Sequence, residues 1–164
     1  MTFSNTIEQT AELNDEQLLN ENNAEDKKSW SILGHTYWPV MGNDFDTSFS
    51  WITYDPPGTF VPPHRHGSQD EHVYILEGEY SLYVDGEWTI ARKGDSVKWP
   101  KGSLHGYRID SDKPGRALMW VSPAGDLSTL FDELHNLTDP EEVVRVSAKR
   151  DIFFAKEGSA PGYK

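Results

Sequence analysis

An all-β body, sandwich or barrel, closed by two C-terminal helices is the architecture this sequence predicts. Three observations carry it. Short apolar or alternating runs recur between turn residues from Trp30 to Pro123. An Asp85-Gly86 pair separates two alternating runs, a strong hairpin signal. After Pro123 the apolar period changes from that of a strand to that of a helix.

The elements follow in chain order. Residues 1–28 are rich in Asn, Glu, Gln and Asp and read as a polar arm, with a thin apolar stripe in "AELNDEQLL". "SWSILGHTYWPV" and "TSFSWITYD" are aromatic and β-branched, as strands are. "HVYILEGEYSLYVDGEWTIAR" reads strand, Glu77-Gly78 break, strand, turn, strand. "DSVKWP", "HGYRID" and "GRALMWVSP" continue the rhythm, which suits a sandwich or barrel. Leu127, Leu130, Phe131 and Leu134 then fall on one face of a helix. A second helix starts with Asp139 as N-cap and Pro140 at its first position, with Glu142 placed for a capping box. The expected organisation is an arm over residues 1–28, a β-barrel over 29–123 and a helical segment and tail over 124–164. No repeat of solenoid or propeller period is present.

Composition narrows the functions. A net charge of -12 over 164 residues repels phosphate backbones and anionic membrane surfaces, and no Lys/Arg run offsets it. Neither a nucleic-acid nor a membrane partner is expected. With no cysteine, disulfides, thiolate metal sites and a Cys nucleophile are excluded. The first residues lack the apolar core of a secretory signal, and no run reaches the ~18 residues of a membrane span. The expectation is a cytoplasmic protein.

The chemistry concentrates in "GTFVPPHRHGSQDEHVYILEG". Alternate side chains of a strand share a face, so His64 and His66 point the same way and can grip one cation. A new strand after the polar break "GSQD" would put Glu71, Val73 and Ile75 on one face and His72 on the other. Asp70 is the rival acid, one residue earlier and on the opposite face. A further ligand is sought in "GDSVKWPKGSLHGYRI", where His105 opens a strand after a tight turn. His35 and His135 have no partner at ligand spacing and read as structural.

Two spaced patterns turn these residues into a resemblance. Gly58, His64, His66, Glu71 and Gly78 match the first cupin motif, and Gly94, Pro100, Gly102 and His105 match the second. The chain is therefore similar to the cupin superfamily over about residues 30–123, and it resembles the quercetinase-like (quercetin 2,3-dioxygenase-like) single-domain subgroup. Ile109 stands where the second motif often carries Asn, a position that is not a ligand in the family. The resemblance implies a cupin jelly-roll barrel in which His64, His66, Glu71 and His105 hold one divalent metal. Three imidazoles and a carboxylate suit Fe, Mn, Ni, Co or Zn better than Ca or Mg, and leave open positions for a ligand. The resemblance also implies a homodimer, with "SWSILGHTYWPV" apolar enough to serve as an interface strand.

Counting parity from the ligands gives an expected lining. Phe60, Val73, Tyr80, Trp99 and Tyr107 are the candidate substrate contacts, with Ile75, Leu82, Val84, Val97 and Ile109 also inward, and Ser81 and Tyr83 outward. The cavity is expected to be apolar and aromatic, with few charges beyond the ligands and no inward Arg or Lys. A small aromatic or enolisable hydroxy-keto substrate fits it, with dioxygen as co-substrate of a metal-dependent dioxygenase. Glu71 is the expected proton acceptor, and Tyr107 the next candidate base. The alternatives are a non-redox metal-dependent lyase or isomerase, or a non-catalytic small-molecule-binding cupin.

Overall fold

A computed structural model describes residues 28–40 and 46–160. The polar arm, except Lys28, therefore lies outside the described residues, as does its short apolar stripe. Eleven strands and two helices are present among the described residues. One sheet holds β1 (Trp30–Ile32), β2 (His35–Pro39), β3 (Phe49–Asp55), β10 (Gly115–Ser122), β5 (Asp70–Glu77) and β8 (Ser96–Trp99), in that spatial order. The other holds β11 (Ile152–Phe154), β4 (Phe60–His66), β9 (His105–Arg108), β6 (Glu79–Val84) and β7 (Glu87–Arg92). All pairings are antiparallel. The expected all-β body is thus a two-sheet double-stranded β-barrel, followed by α1 (Leu127–Leu134) and α2 (Pro140–Ala148).

The alternation that marked the strands is the alternation that buries them. In β5, Glu71, Val73 and Ile75 are buried while Tyr74 is exposed. In β10 the buried set is Gly115, Ala117, Met119 and Val121. Tyr83 departs from its expected outward, solvated position: it points away from the barrel yet is only 2% exposed, because Trp88 of the neighbouring β7 packs on it at 5.1 Å. The 124–164 segment also holds more than helix and tail. Residues 152–154 return to pair with His66, Arg65 and His64 of β4, a strand too short to leave a periodic signal.

Both helices cover one mouth of the barrel. Leu127, Leu130, Phe131 and Leu134 are buried, as their spacing requires. Phe131 is the hub of an aromatic cluster, with ring centroids 5.2 Å from Tyr37, 5.2 Å from Trp51, 5.4 Å from Trp30 and 5.7 Å from Phe49. The apolar side chains Trp30, Ile32 and Tyr37 of the first strands are therefore turned into the core. In α2 the Asp139 cap forms, accepting from the Glu141 N–H, with Pro140 in the first turn. The capping box does not: the Glu142 carboxylate takes Arg145 one turn on instead.

Two glycines allow the close approaches around the barrel's interior end. A Cβ on Gly106 of β9 would lie 2.6 Å from the Val61 carbonyl. That contact sits at the irregularity where β4 passes from the Val61↔Tyr107 pairing to His64↔His105, with Pro62 and Pro63 opposite Gly106 alone. A Cβ on Gly67 would lie 2.2 Å from the Asp151 carboxylate. Gly67 opens the turn that carries the chain from β4 in one sheet to β5 in the other.

Candidate metal centre

The crossing at residues 67–69 is what assembles the site. His64 and His66 share the inward face of β4, and His105 of β9 stands directly across from His64. Glu71 faces them from the opposite sheet. All four are buried, and one ligand atom from each lies within 4.8 Å of the others. Glu71 Oε2 is 3.1 Å from both His66 Nε2 and His105 Nε2. The turn before β9 is tied to the same place, since the Gly102 N–H donates to the His66 carbonyl at 2.8 Å.

The outer nitrogens settle which atoms can act as ligands. His64 Nδ1 meets the Pro62 carbonyl at 2.9 Å, His66 Nδ1 the Gln69 Oε1 at 2.9 Å, and His105 Nδ1 the Ser103 carbonyl at 3.1 Å. A carbonyl oxygen only accepts, so each ring carries a proton on Nδ1 and turns Nε2 to the cluster. There the Nε2 atoms of His66 and His105 lie at hydrogen-bond distance from the acceptor-only Glu71 Oε2, and become ligands once a metal displaces the protons held there. Three Nε2 atoms and one carboxylate, converging in a buried pocket, are the donor set a divalent transition metal takes. Gln69 is an outer partner that no spacing rule disclosed. Its amide donates to the Pro123 and Ala124 carbonyls at 3.0 and 2.6 Å, and this leaves Oε1 facing His66.

Electrostatics follow from the crowding. Burial is the largest effect on His64 and, with His105 and His66 beside it, lowers its pKa to about 3. Burial also opposes a charge on His66, but the adjacent Glu71 carboxylate outweighs it and raises the pKa above the ordinary value. Burial likewise works against the Glu71 charge, and the attraction of His66 and His105 overcomes it, holding the carboxyl far below the usual range.

The other expected site residues separate. A cavity of about 190 Å³ is lined by His64, His66 and Glu71 at one side and by residues of β1, β2 and both helices at the other. Phe60 and Tyr107 line it. Val73, Tyr80 and Trp99 do not: they are inward but packed, at 0%, 0% and 1% exposure. Trp99 instead stacks on His105 at 4.8 Å and 12°, bracing that ring. Inward parity identifies core positions, whereas cavity walls depend on which core positions the helices leave uncovered. The irregularity in β4 also makes Val61, rather than Pro62, the residue opposite Tyr107. Asp70 lies outside the cluster, paired with Lys98 at 2.7 Å. His72 stacks on Trp120 at 4.8 Å on the outer face.

One buried acid was not expected. Asp55 is 0% exposed and lies behind the cavity wall. Its Oδ1 accepts from His35 Nδ1 at 2.9 Å and the Tyr107 hydroxyl at 3.1 Å. Its Oδ2 accepts from Thr53 and Tyr80, each at 2.6 Å. Burial and this carboxylate raise the Tyr107 pKa well above the phenolic value. Tyr107, the second candidate base, thus has its proton committed to Asp55. The pairing joins residues twenty positions apart in a hairpin whose partners show no local spacing.

Fold and site together define a small double-stranded β-barrel with a buried cluster of three histidines and one glutamate that could hold a metal ion. Residues 51–121 match the family described as "Cupin domain", so this stretch of the chain is similar to cupins. It is 34% identical over 56 residues to a quercetin 2,3-dioxygenase of Bacillus subtilis, a match covering 34% of this chain and 17% of that protein. It is 25% identical over 101 residues to the pectin degradation protein KdgF of Dickeya dadantii, covering 57% of this chain and 92% of that one. Among solved structures, an RmlC-like cupin from Shewanella frigidimarina aligns with a TM-score of 0.54 at 24% identity, over 61% of this chain and 86% of that chain. That likeness concerns the fold. Among the described residues, no helix is long and apolar enough to cross a membrane.

Proposed function

We propose that this protein is a metal-dependent dioxygenase acting on a small aromatic or enolisable hydroxy-keto compound. The observation that supports it is the cavity. It opens directly onto the histidine–glutamate cluster, its walls include Tyr37, Trp51, Phe131 and Phe154, and no Lys or Arg among the described residues lines it. A phosphorylated or multiply charged substrate would need a cation there. A flat apolar ring needs what is present. His64, His66, Glu71 and His105 would hold one Fe, Mn, Ni, Co or Zn ion. When bound, a redox-active ion of this set supplies a site where dioxygen and an oxygen-bearing substrate can react. Glu71, an acceptor-only carboxylate, receives the proton of a substrate hydroxyl. The apolar walls exclude water, and Phe60 and Tyr107 contact the substrate.

A second reading is metal-assisted proton chemistry without dioxygen, as in a lyase or isomerase. The donor set does not by itself require a redox step, and the chain also matches a pectin degradation protein over 92% of that protein's length. Oxygen-electrode assays of protein loaded separately with iron, manganese, nickel, cobalt and zinc, against flavonols and simpler aromatic hydroxy-ketones, separate the two. Oxygen uptake confined to redox-active metals is the expected result. Turnover of a hydroxy-keto substrate without oxygen uptake, equal with zinc, would overturn the dioxygenase reading in favour of the second.

The proposal includes a cytoplasmic homodimer. On the outer face of the six-stranded sheet, Trp38, Ile52, Leu118 and Tyr74 form one cross-strand row, all partly or fully exposed. The row contains no acid in a chain of net charge -12, so two copies can meet there without repulsion between facing carboxylates.

A further inference from the structure

Strand parity puts His35 and Tyr37 on the inward face of β2, and both line the cavity. What they can offer a ligand is dictated by Asp55. Four donors converge on its two oxygens, so it stands as an acceptor-only carboxylate. The His35 proton is therefore on Nδ1, and in the neutral ring Nε2 keeps a bare lone pair. The hydrogen bond that His35 makes runs through Nδ1, which leaves Nε2 at the cavity wall. The Tyr107 hydroxyl spends its proton on Asp55. In the 3.3 Å contact between Tyr37 and Tyr107, the donor must then be Tyr37. Burial and the nearby Asp55 keep the Tyr37 hydroxyl protonated far beyond the ordinary phenolic range. Its oxygen faces the cavity with lone pairs only.

The bookkeeping of protons makes this end of the cavity one-sided. His64 and His66 have committed their Nδ1 protons to carbonyl oxygens, and Glu71 has none to give. Apart from Ser147 and the indole N–H of Trp51, which is itself buried without a partner, the polar side chains that line the cavity accept and do not donate. An apolar chamber that presents unpaired acceptors favours a ligand carrying the matching donor, because an acceptor left bare in such surroundings is costly.

We propose that His35 Nε2 and Tyr37 Oη form a hydroxyl-recognition subsite, selecting aromatic or enolic substrates that carry a free O–H separate from the atoms that meet the histidine–glutamate cluster. This rests on the aromatic-substrate reading above. An ether or a methylated analogue, having no proton to give, is rejected.

The test uses full-length protein loaded with redox-silent zinc, titrated calorimetrically with 2-naphthol and 2-methoxynaphthalene. The parent is expected to bind 2-naphthol about 10-fold more tightly, and Tyr37→Phe to shrink that preference about 3- to 10-fold, the scale of one neutral hydrogen bond. A structural role for Tyr37 would change both affinities together and leave their ratio intact. Long-range 1H–15N spectra of the parent give a measurement that needs no variant: His35 is expected as the Nδ1–H tautomer, with its Nε2 resonance shifted by 2-naphthol and not by the ether. Equal binding of the two probes, a preference unaltered in Tyr37→Phe, or an Nε2 resonance unmoved by bound 2-naphthol would overturn the subsite while leaving the aromatic reading in place. Binding of neither probe would overturn the aromatic reading, and the subsite with it.

Discussion

Replacing Gln69 by Leu probes whether the imidazoles are held for metal by their outer hydrogen bonds. The change strips His66 Nδ1–H of its acceptor at 2.9 Å and takes the amide donor from the Pro123 and Ala124 carbonyls. Gln69 is only 5% exposed, so water does not simply replace the lost partners. An outer partner of a metal-binding His is worth about 10–100-fold in affinity, and a tenfold change is about 1.4 kcal/mol. Zinc affinity, measured by competition with a chromophoric chelator, should therefore fall about 10–100-fold. A buried group left without a partner costs about 1–3 kcal/mol, and the metal-free protein should lose at least that in urea unfolding. Gln69→Glu keeps an acceptor on His66 while losing the amide donor. It should retain more zinc affinity than Gln69→Leu at a comparable loss of stability. Unchanged zinc affinity in a folded Gln69→Leu protein would refute the argument.

Four further outcomes are expected. Zinc affinity should fall as the pH drops from about 7 to about 5, because Glu71 keeps the His66 proton in place and the metal must displace it; a flat profile counts against the ligand set. In the metal-free protein, Glu71, depressed below its ordinary 4.5, contributes stability that is complete above that value and lost toward acid, while His66, raised above 6.5, contributes below that value and loses it as pH rises through its folded pKa. His64, near 3 when folded against 6.5 unfolded, withdraws stability as pH falls between those values, so thermal melts at graded pH should show steepening acid destabilisation below about pH 6. Phe131→Ala empties the aromatic hub and should cost about 3–5 kcal/mol in chemical unfolding. If the parent sediments as the proposed dimer, Leu118→Lys should leave a single 18.6 kDa species; an unchanged dimer would move the interface elsewhere, and a monomeric parent would remove it.

Local rules reached the fold and the four clustered residues, and long-range packing supplied what surrounds them. Strand alternation is a property of neighbouring residues, so the faces of β5 and β10 were legible from the chain alone, as was the helical stripe at Leu127, Leu130, Phe131 and Leu134. The spacings of Gly58, His64, His66, Glu71 and Gly78, and of Gly94, Pro100, Gly102 and His105, were visible for the same reason: each runs through one strand, turn and strand. Parity could not distinguish a packed inward residue from a cavity wall. That depends on the helices, which leave Tyr37 and Tyr107 uncovered while Val73, Tyr80 and Trp99 are closed off by neighbours. The pairings of Gln69 with His66 and of Asp55 with His35 have no periodic signature. Gln69 owes its orientation to carbonyls more than fifty residues away, and Asp55 is buried only because side chains from β2, β3, β6 and β9 supply its donors. A polar group can stay inside a core only when such distant partners meet it, so its place belongs to the tertiary structure and not to the local pattern.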